Sequence, residues 1–333
     1  MGHGAGGILM DELIGRMKGI LGSTYLGQGL DSALLPPVTG SLAFTTDSFV
    51  VRPLFFPGGD IGKLAVCGTV NDLSVVGARP LYLSSALILE EGLPLETLDR
   101  IVFSIAEAAR EAHVEIVTGD TKVVEKGRGD GVYIATSGVG ALREGLDLSG
   151  RLAAEGDALI VSGRLGDHAM TVLGLRESLG FDSGLASDCA PLNGMIAALL
   201  ESGAAPVFMR DLTRGGLAAA LCELAALRGL ELEIDEEALP VRDEVRALGE
   251  LLGIDVLTMA NEGKLLAVLP APAAESALAA LRAHPLGREA RIVGRVLAER
   301  SAGTAGGSVR MRTASGGLRR VTRPYAEKLP RIC

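Results

Sequence analysis

The stretch Ile61 to Ala78 constrains this chain more than any other, because it reads as a buried helix. Val66, Val70, Leu73, Val75 and Val76 keep it apolar, and Gly62, Gly68 and Gly77 allow another backbone to approach closely. Within it, Asn71-Asp72 places an amide and a carboxylate among apolar neighbours. A carboxylate there is costly unless something positive meets it: a metal ion, a lysine or capping N–H groups.

The surrounding first half alternates strand and helix. Ile8 to Leu21 has a helical apolar period. Ser41 to Thr46 and Phe49 to Val51 read as strand on either side of Asp47-Ser48. Leu81 to Leu89 is strand-like, and Pro94 to Ala112 is an amphipathic helix with proline in its first turn. Val114 to Val117 is a strand leading into Thr118-Gly-Asp-Thr-Lys122, and Gly131 to Leu142 is another. The glycine-rich residues 2 to 7 either bring backbone N–H groups to an anion or form a loose end.

Near Gly145 to Gly156 the pattern resets. The chain has 333 residues, beyond the roughly 250–300 at which a single core stops growing, so two domains are expected. The boundaries read as 1–150, 151–317 and a tail over 318–333. In the second half Ala158 to Val161 is a strand, and Gly166-Asp-His168 opens a helix to Leu179. Residues 180 to 190 are a loop before the helix Leu192 to Glu201. Phe208 to Leu217 joins a strand to the helix Leu217 to Leu227 through two glycines, with Asp211 and Thr213 at the entrance. That entrance is an anion site or a pair of ordinary caps. Ala260-Asn-Glu-Gly-Lys264 precedes the apolar strand Leu265 to Leu269. Residues 301 to 308 are a hairpin or a disordered loop.

The formal charge of −9 argues against nucleic acid and membrane surfaces as partners. Cys67, Cys189, Cys222 and Cys333 are too dispersed for a zinc site or a disulfide framework. No uncharged apolar run approaches membrane-spanning length and no signal peptide is present, so a cytoplasmic location with reduced thiols is expected. The chain ends Val321-Thr-Arg-Pro-Tyr-Ala-Glu-Lys-Leu-Pro-Arg-Ile-Cys333, which spans about 40 Å when extended. Pro324 and Pro330 keep it from becoming helix. A terminal thiol on such a tail is either a ragged end or a group able to enter a pocket as a substrate does.

Asp47, Asp72, Asp120 and Asp211 each sit beside glycine, Ser/Thr or Asn at an apparent element end. Hard oxygen ligands with few His or Cys describe a magnesium site that also holds nucleotide phosphates. No P-loop motif and no strand-linked dinucleotide fingerprint occurs, so ATP use requires another scaffold.

Thr45-Thr-Asp-Ser48, Asn71-Asp-Leu73 with Gly77-Ala78, and Gly119-Asp-Thr121 resemble the nucleotide-site motifs of the aminoimidazole ribonucleotide synthetase superfamily. Within it, His3-Gly-Ala-Gly-Gly7, Phe55 to Lys63, Arg210 to Gly216, Asn261-Glu-Gly263 and terminal Pro330-Arg-Ile-Cys333 resemble the HypE family of hydrogenase maturation proteins. Ala5, Ala169 and Leu212 depart from that pattern without removing a candidate catalytic group. The resemblance implies a two-domain α+β, PurM-like fold, dimeric through a β-barrel shared by the N-terminal domains. It implies ATP-dependent dehydration of a carbamoyl group on Cys333 to a thiocyanate, supplying cyanide to the iron of [NiFe]-hydrogenase.

On that reading Asp47, Asp72, Asp120 and Asp211 hold magnesium, and His3, Thr46, Asn71 and Thr121 join them at ATP. Lys63 and Lys122 meet nucleotide or transition-state charge, Glu262 takes the amide proton, and Arg331 favours the Cys333 thiolate. Asp72, Lys122, Glu262 and Cys333 form the catalytic set. The implied partners are a HypF-like carbamoyltransferase, a HypC–HypD-like iron scaffold and a second copy of the chain. The alternatives are a small-molecule ligase or kinase on the same scaffold, for which Cys333 is dispensable, and a non-catalytic carrier, for which Glu262 has no purpose.

Overall fold

The computed structural model describes residues 2–4, 7–28, 30–177, 184–299, 307–324 and 332. Ala5, Arg331 and Cys333, and nearly all of the expected 301–308 loop, lie outside the described residues.

The first half runs α1 (Ile8–Leu21), β1 (Leu42–Phe49), β2 (Phe55–Phe56), β3 (Gly59–Asp60), α2 (Ile61–Val75), β4 (Ala78–Glu90), α3 (Leu95–Glu111), β5 (Glu115–Val124) and β6 (Val132–Leu142). Strands β1, β6, β4 and β5 form one sheet in that order, with β4 and β5 parallel and the other pairs antiparallel. As expected from its composition, α2 is interior: Ile61, Leu64, Ala65, Val66, Cys67 and Val70 are fully buried. Each large aliphatic side chain so placed contributes roughly 1.5–3 kcal/mol relative to exposure. Asp60 caps α2, its Oδ1 accepting from Gly62 N at 2.7 Å and Lys63 N at 3.2 Å. Gly77, at φ 82°, turns the chain from the helix into β4.

On the sheet's other face Tyr25 packs against Tyr82 near the β5 edge, while large apolar side chains elsewhere are exposed. Phe44 on β1 is 71% exposed, whereas Ile134 on β6 is wholly buried. Leu42 and Ile88 are also exposed.

The second half runs β7 (Ala158–Val161), α4 (Asp167–Arg176), α5 (Asn193–Glu201), β8 (Phe208–Asp211), α6 (Gly216–Arg228), β9 (Leu230–Asp235), α7 (Asp243–Leu252), β10 (Leu265–Leu269), α8 (Ala274–Ala283), β11 (Arg291–Glu299), β12 (Ser308–Arg312) and β13 (Leu318–Val321). Its seven-stranded sheet is ordered β13-β12-β9-β11-β7-β10-β8. Strand β10, buried at every residue, reads as a continuous apolar run for that reason.

Three expectations need correcting. Asp47 lies within one continuous strand, Leu42–Phe49, rather than between two. Asp120 is inside β5 and not at a strand's end. Leu318–Val321 pairs with β12, so the stretch read as tail begins with a strand. Ile332, near the far end of that stretch, is buried in the same core as α2 and α4.

Candidate active site

The two halves meet along α2. Period-two alternation on β1 puts Thr45 and Asp47 on the side facing α2, and leaves Thr46 on the opposite side, bonded to the Thr136 carbonyl and Ser137. Thr46, expected at ATP, therefore faces away from α2, and it is Thr45 whose hydroxyl donates to Asp72 Oδ2 at 2.8 Å. Strand β8 adds Asp211 from the second half. Asp47, Asp72 and Asp211 line one cleft of about 380 Å³, together with Arg210, Thr213 and Arg214.

Carboxylates so crowded cannot all ionise freely. Burial and then the Asp72 charge push Asp47 up to about 6, against the pull of Arg214. Burial and again Asp72 push Asp211 up to about 7. The sequence reading missed Arg210 and Arg214 as cleft residues, although both stand inside the motif that it singled out.

Asp120 does not join this trio, and neither do Thr121, Lys122 or His3. Lys122 Nζ pairs with Asp120 Oδ2 at 3.4 Å on edge strand β5. Asp120, Thr121 and Lys122 line a second cleft of about 400 Å³ with Gly4 and Met17. The short turn Gly2–Gly4 brings His3 to that side of the molecule, since Gly4 lies against Val123. The sequence shows four similar aspartates but not which side of a sheet each occupies.

Asn71 is a second correction. Its Nδ2 donates to the carbonyls of Ala190 and Glu262, each at 3.2 Å, and its Oδ1 accepts from Leu192 N at 2.7 Å. Both of its amide hydrogens are thus spent in joining the two halves, which leaves it no donor for a nucleotide. Lys63 lies away from the trio too, its Nζ donating to the Gly58 carbonyl at 3.2 Å.

Behind the trio is a buried polar cluster. Glu262 is 3% exposed, and its Oε1 has no hydrogen-bond partner among the described residues. Burial, followed by Cys189, Asp188, Asp211 and Asp47, raises its carboxyl well above the ordinary range. Asp188 accepts from Glu262 N at 3.0 Å and Gly263 N at 3.3 Å and pairs with Lys264 Nζ at 3.1 Å. Burial alone would raise the Asp188 carboxyl, but Lys264, His168 and the Glu262 N–H hold it low. Position 263 must be glycine, because a Cβ there would meet the Asp188 carbonyl at 1.9 Å. Cys189, read as a loop residue without a role, packs on Cys67, and their thiol contact and burial keep it protonated. Ser187 Oγ lies 2.8 Å from His168 Nδ1, and His168 Nε2 lies 2.6 Å from the Ile332 carbonyl. Residues 187 to 189 thus link Glu262 to the end of the chain. They were invisible in sequence because a polar loop has no period to read.

With this geometry established, the chain can be compared with known proteins. It matches the AIR synthase related N-terminal domain over residues 29–142 and the C-terminal domain over 154–305. It is 51% identical to carbamoyl dehydratase HypE of Azotobacter vinelandii across 100% of this chain and 96% of that one. The chain belongs to the HypE family. The fold of this HypE-family chain superposes on a crystal structure of HypE in complex with ATP at a TM-score of 0.93, with 46% identity over 99% of this chain and 98% of that one. A HypE chain from a HypE–HypF complex matches at a TM-score of 0.81, with 47% identity over 96% and 100%. The PurM-like, two-domain architecture expected of the chain is thereby established.

Among the described residues, no three His, Cys, Asp or Glu side chains converge closely enough to hold a metal ion between them. Magnesium asks less than that: it keeps several waters and takes one or two carboxylates together with substrate phosphates. Asp47, Asp72 and Asp211, hard oxygen donors held in mutual repulsion, fit that demand.

Proposed function

We propose that this chain is an ATP-dependent carbamoyl dehydratase that acts on its own C-terminal Cys333 and yields an enzyme thiocyanate. The cyano group then goes to the iron of a [NiFe]-hydrogenase under assembly. The observation that carries this reading is the seat of Ile332. Ile332, one residue before Cys333, is buried against His168, which bonds the 187–189 segment that also holds Glu262.

The chemistry requires that arrangement. A thiocarbamate, R–S–C(=O)–NH2, cannot expel hydroxide readily, but its oxygen becomes a good leaving group once it takes the γ-phosphoryl of ATP and releases ADP. Loss of one amide proton in forming the O-phosphoryl imidate, and of a second as phosphate departs, leaves R–S–C≡N. Glu262 suits one of these proton transfers. A carboxylate in so dry a place is a strong base when ionised, and an incoming amide N–H would supply the partner that Oε1 lacks. Asp47, Asp72 and Asp211 are the residues to hold magnesium with the phosphates, and the ion supplies charge neutralisation for the transferring phosphoryl. Arg210 and Arg214 stand beside them as fixed cations.

The open face of the four-stranded sheet supports dimerisation. Pairing two such faces would close an eight-stranded barrel and cover Phe44, Leu42 and Ile88. In such a dimer Asp120, Lys122 and His3 would serve the nucleotide from the second cleft, which accounts for their separation from the trio within one chain. We infer a HypF-like transferase as the loading partner, a HypC–HypD-like complex as acceptor, and a cytoplasmic setting. Among the described residues no helix is long and apolar enough to cross a membrane.

The test is intact mass after incubation with the transferase, carbamoyl phosphate and magnesium–ATP. The wild-type chain should gain a cyano group confined to its terminal peptide. A chain lacking Cys333 should gain none and should lose substrate-dependent ATP turnover; unchanged turnover would remove the reading in favour of a small-molecule ligase or kinase.

A further inference from the structure

Ile332 is 1% exposed, and only a backbone atom of it makes a polar contact: its carbonyl, 2.6 Å from His168 Nε2. A carbonyl only accepts, so the proton of the ring is on Nε2. In the neutral imidazole Nδ1 then accepts from the Ser187 hydroxyl at 2.8 Å. That hydroxyl in turn accepts from the Cys189 N–H at 3.1 Å. The relay has one self-consistent arrangement of protons, and it fixes the tautomer that can hold the tail. Phe56 packs its edge against the ring at 5.6 Å, and His168 is wholly buried. Burial lowers the pKa of His168, outweighing Asp188 and the Ile332 carbonyl, which both favour the cation.

We propose that His168 is the positioning residue that docks the C-terminal tail in the active site, through its single neutral hydrogen bond to the Ile332 carbonyl. The proposal rests on the reading that Cys333 carries the carbamoyl group. A bond to backbone registers where the tail is and ignores what the thiol carries, so thiol, thiocarbamate and thiocyanate are held alike. A neutral bond exchanged for one to water is worth little net, so the latch releases without a trigger. A tail that must alternate between an outside loading enzyme and an inside reaction needs that property. A charged or covalent anchor would not provide it.

The experiment compares the wild-type chain with His168→Leu, which removes the donor at similar volume, and His168→Gln, which keeps an N–H near the Nε2 position. Three rates are measured on full-length protein: alkylation of Cys333 by iodoacetamide, followed by mass of the terminal peptide; carbamoyl loading by the transferase; and single-turnover dehydration of preloaded chain with magnesium–ATP. In H168L, alkylation should rise by roughly 3- to 10-fold and dehydration should fall by a similar factor, the net worth of one hydrogen bond. Loading should not slow, and H168Q should lie between the two. A damaged fold would also raise alkylation and lower dehydration, but it would slow loading as well, so an unslowed loading rate beside those two changes is what separates a lost latch from a lost fold. Wild-type rates for all three steps in H168L would overturn the proposal, and so would a common fall in all three that H168Q does not restore. If the wild-type preloaded chain itself yields no thiocyanate, the dehydratase reading fails, while the alkylation rates still decide whether His168 holds the tail.

Discussion

Asp211→Asn is predicted to stabilise the nucleotide-free chain while disabling it. Burial and Asp72 push the Asp211 carboxyl up to about 7 from its ordinary 3.8. The folded state therefore holds a proton that the unfolded state has released. Below the ordinary value both states are protonated and the penalty vanishes; it grows as pH rises from about 4 and is complete above about 7. Three units correspond to about 4 kcal/mol, and because Asp211 is only half-buried, solvent screening reduces this to about 2 kcal/mol. Asparagine has nearly the same shape and no charge to lose. Thermal unfolding at pH 8 without magnesium or nucleotide should give a midpoint about 4–8 °C higher for D211N than for wild type. The two should converge near pH 4, and the residual slope of the variant reports the carboxylates that remain raised, Asp47 at about 6 and Glu262 among them. Saturating magnesium–ATP, at a hundredfold excess over Kd, should add about 2.7 kcal/mol to the wild type and far less to D211N. An equal midpoint for both proteins at pH 8, or an identical pH slope, would refute the argument that this carboxylate is held against its own preference.

Three further outcomes follow from the same geometry. Glu262→Gln should lower single-turnover dehydration by about 10²–10⁴-fold, the range for loss of a general base, with nucleotide affinity by calorimetry unchanged. Lys264→Met should cost about 3–5 kcal/mol in urea unfolding, because it strands the buried Asp188 carboxylate; a loss below 1 kcal/mol would show that the pair is dispensable. Phe44→Glu places a charge on the open sheet face and should shift the mass in light scattering from dimer to monomer, whereas an unchanged dimer would rule out that face as the interface.

Much of the architecture was legible in the sequence where burial is one-sided or complete. The apolar run Leu265–Leu269 and the buried helix from Ile61 announce themselves because all of the strand and all of the helix but Lys63 and Asp72 is buried. Asp47, Asp72 and Asp211 could be picked out as candidates by their neighbours, but their gathering in one cleft apart from Asp120 depends on the fold of the chain and not on local spacing. Thr45 could have been preferred to Thr46, since the two alternate on one strand and only one shares a face with Asp47. Ser187, Asp188 and Cys189 carried no signal. Their importance comes from His168, Glu262 and Gly263, which are distant in sequence and converge on them only on folding. No element between Leu227 and Met259 was read, although α7 is strongly amphipathic, with Val245, Leu248 and Gly249 turned inward.

Asn71 and Asp72 are adjacent on one helix, and the first is stitched to the second half of the chain by three hydrogen bonds while the second forms a wall of the cleft. Prising the halves apart would break all three at once. Nucleotide therefore meets a cleft whose opposing walls are already tied together by the helix that forms one of them.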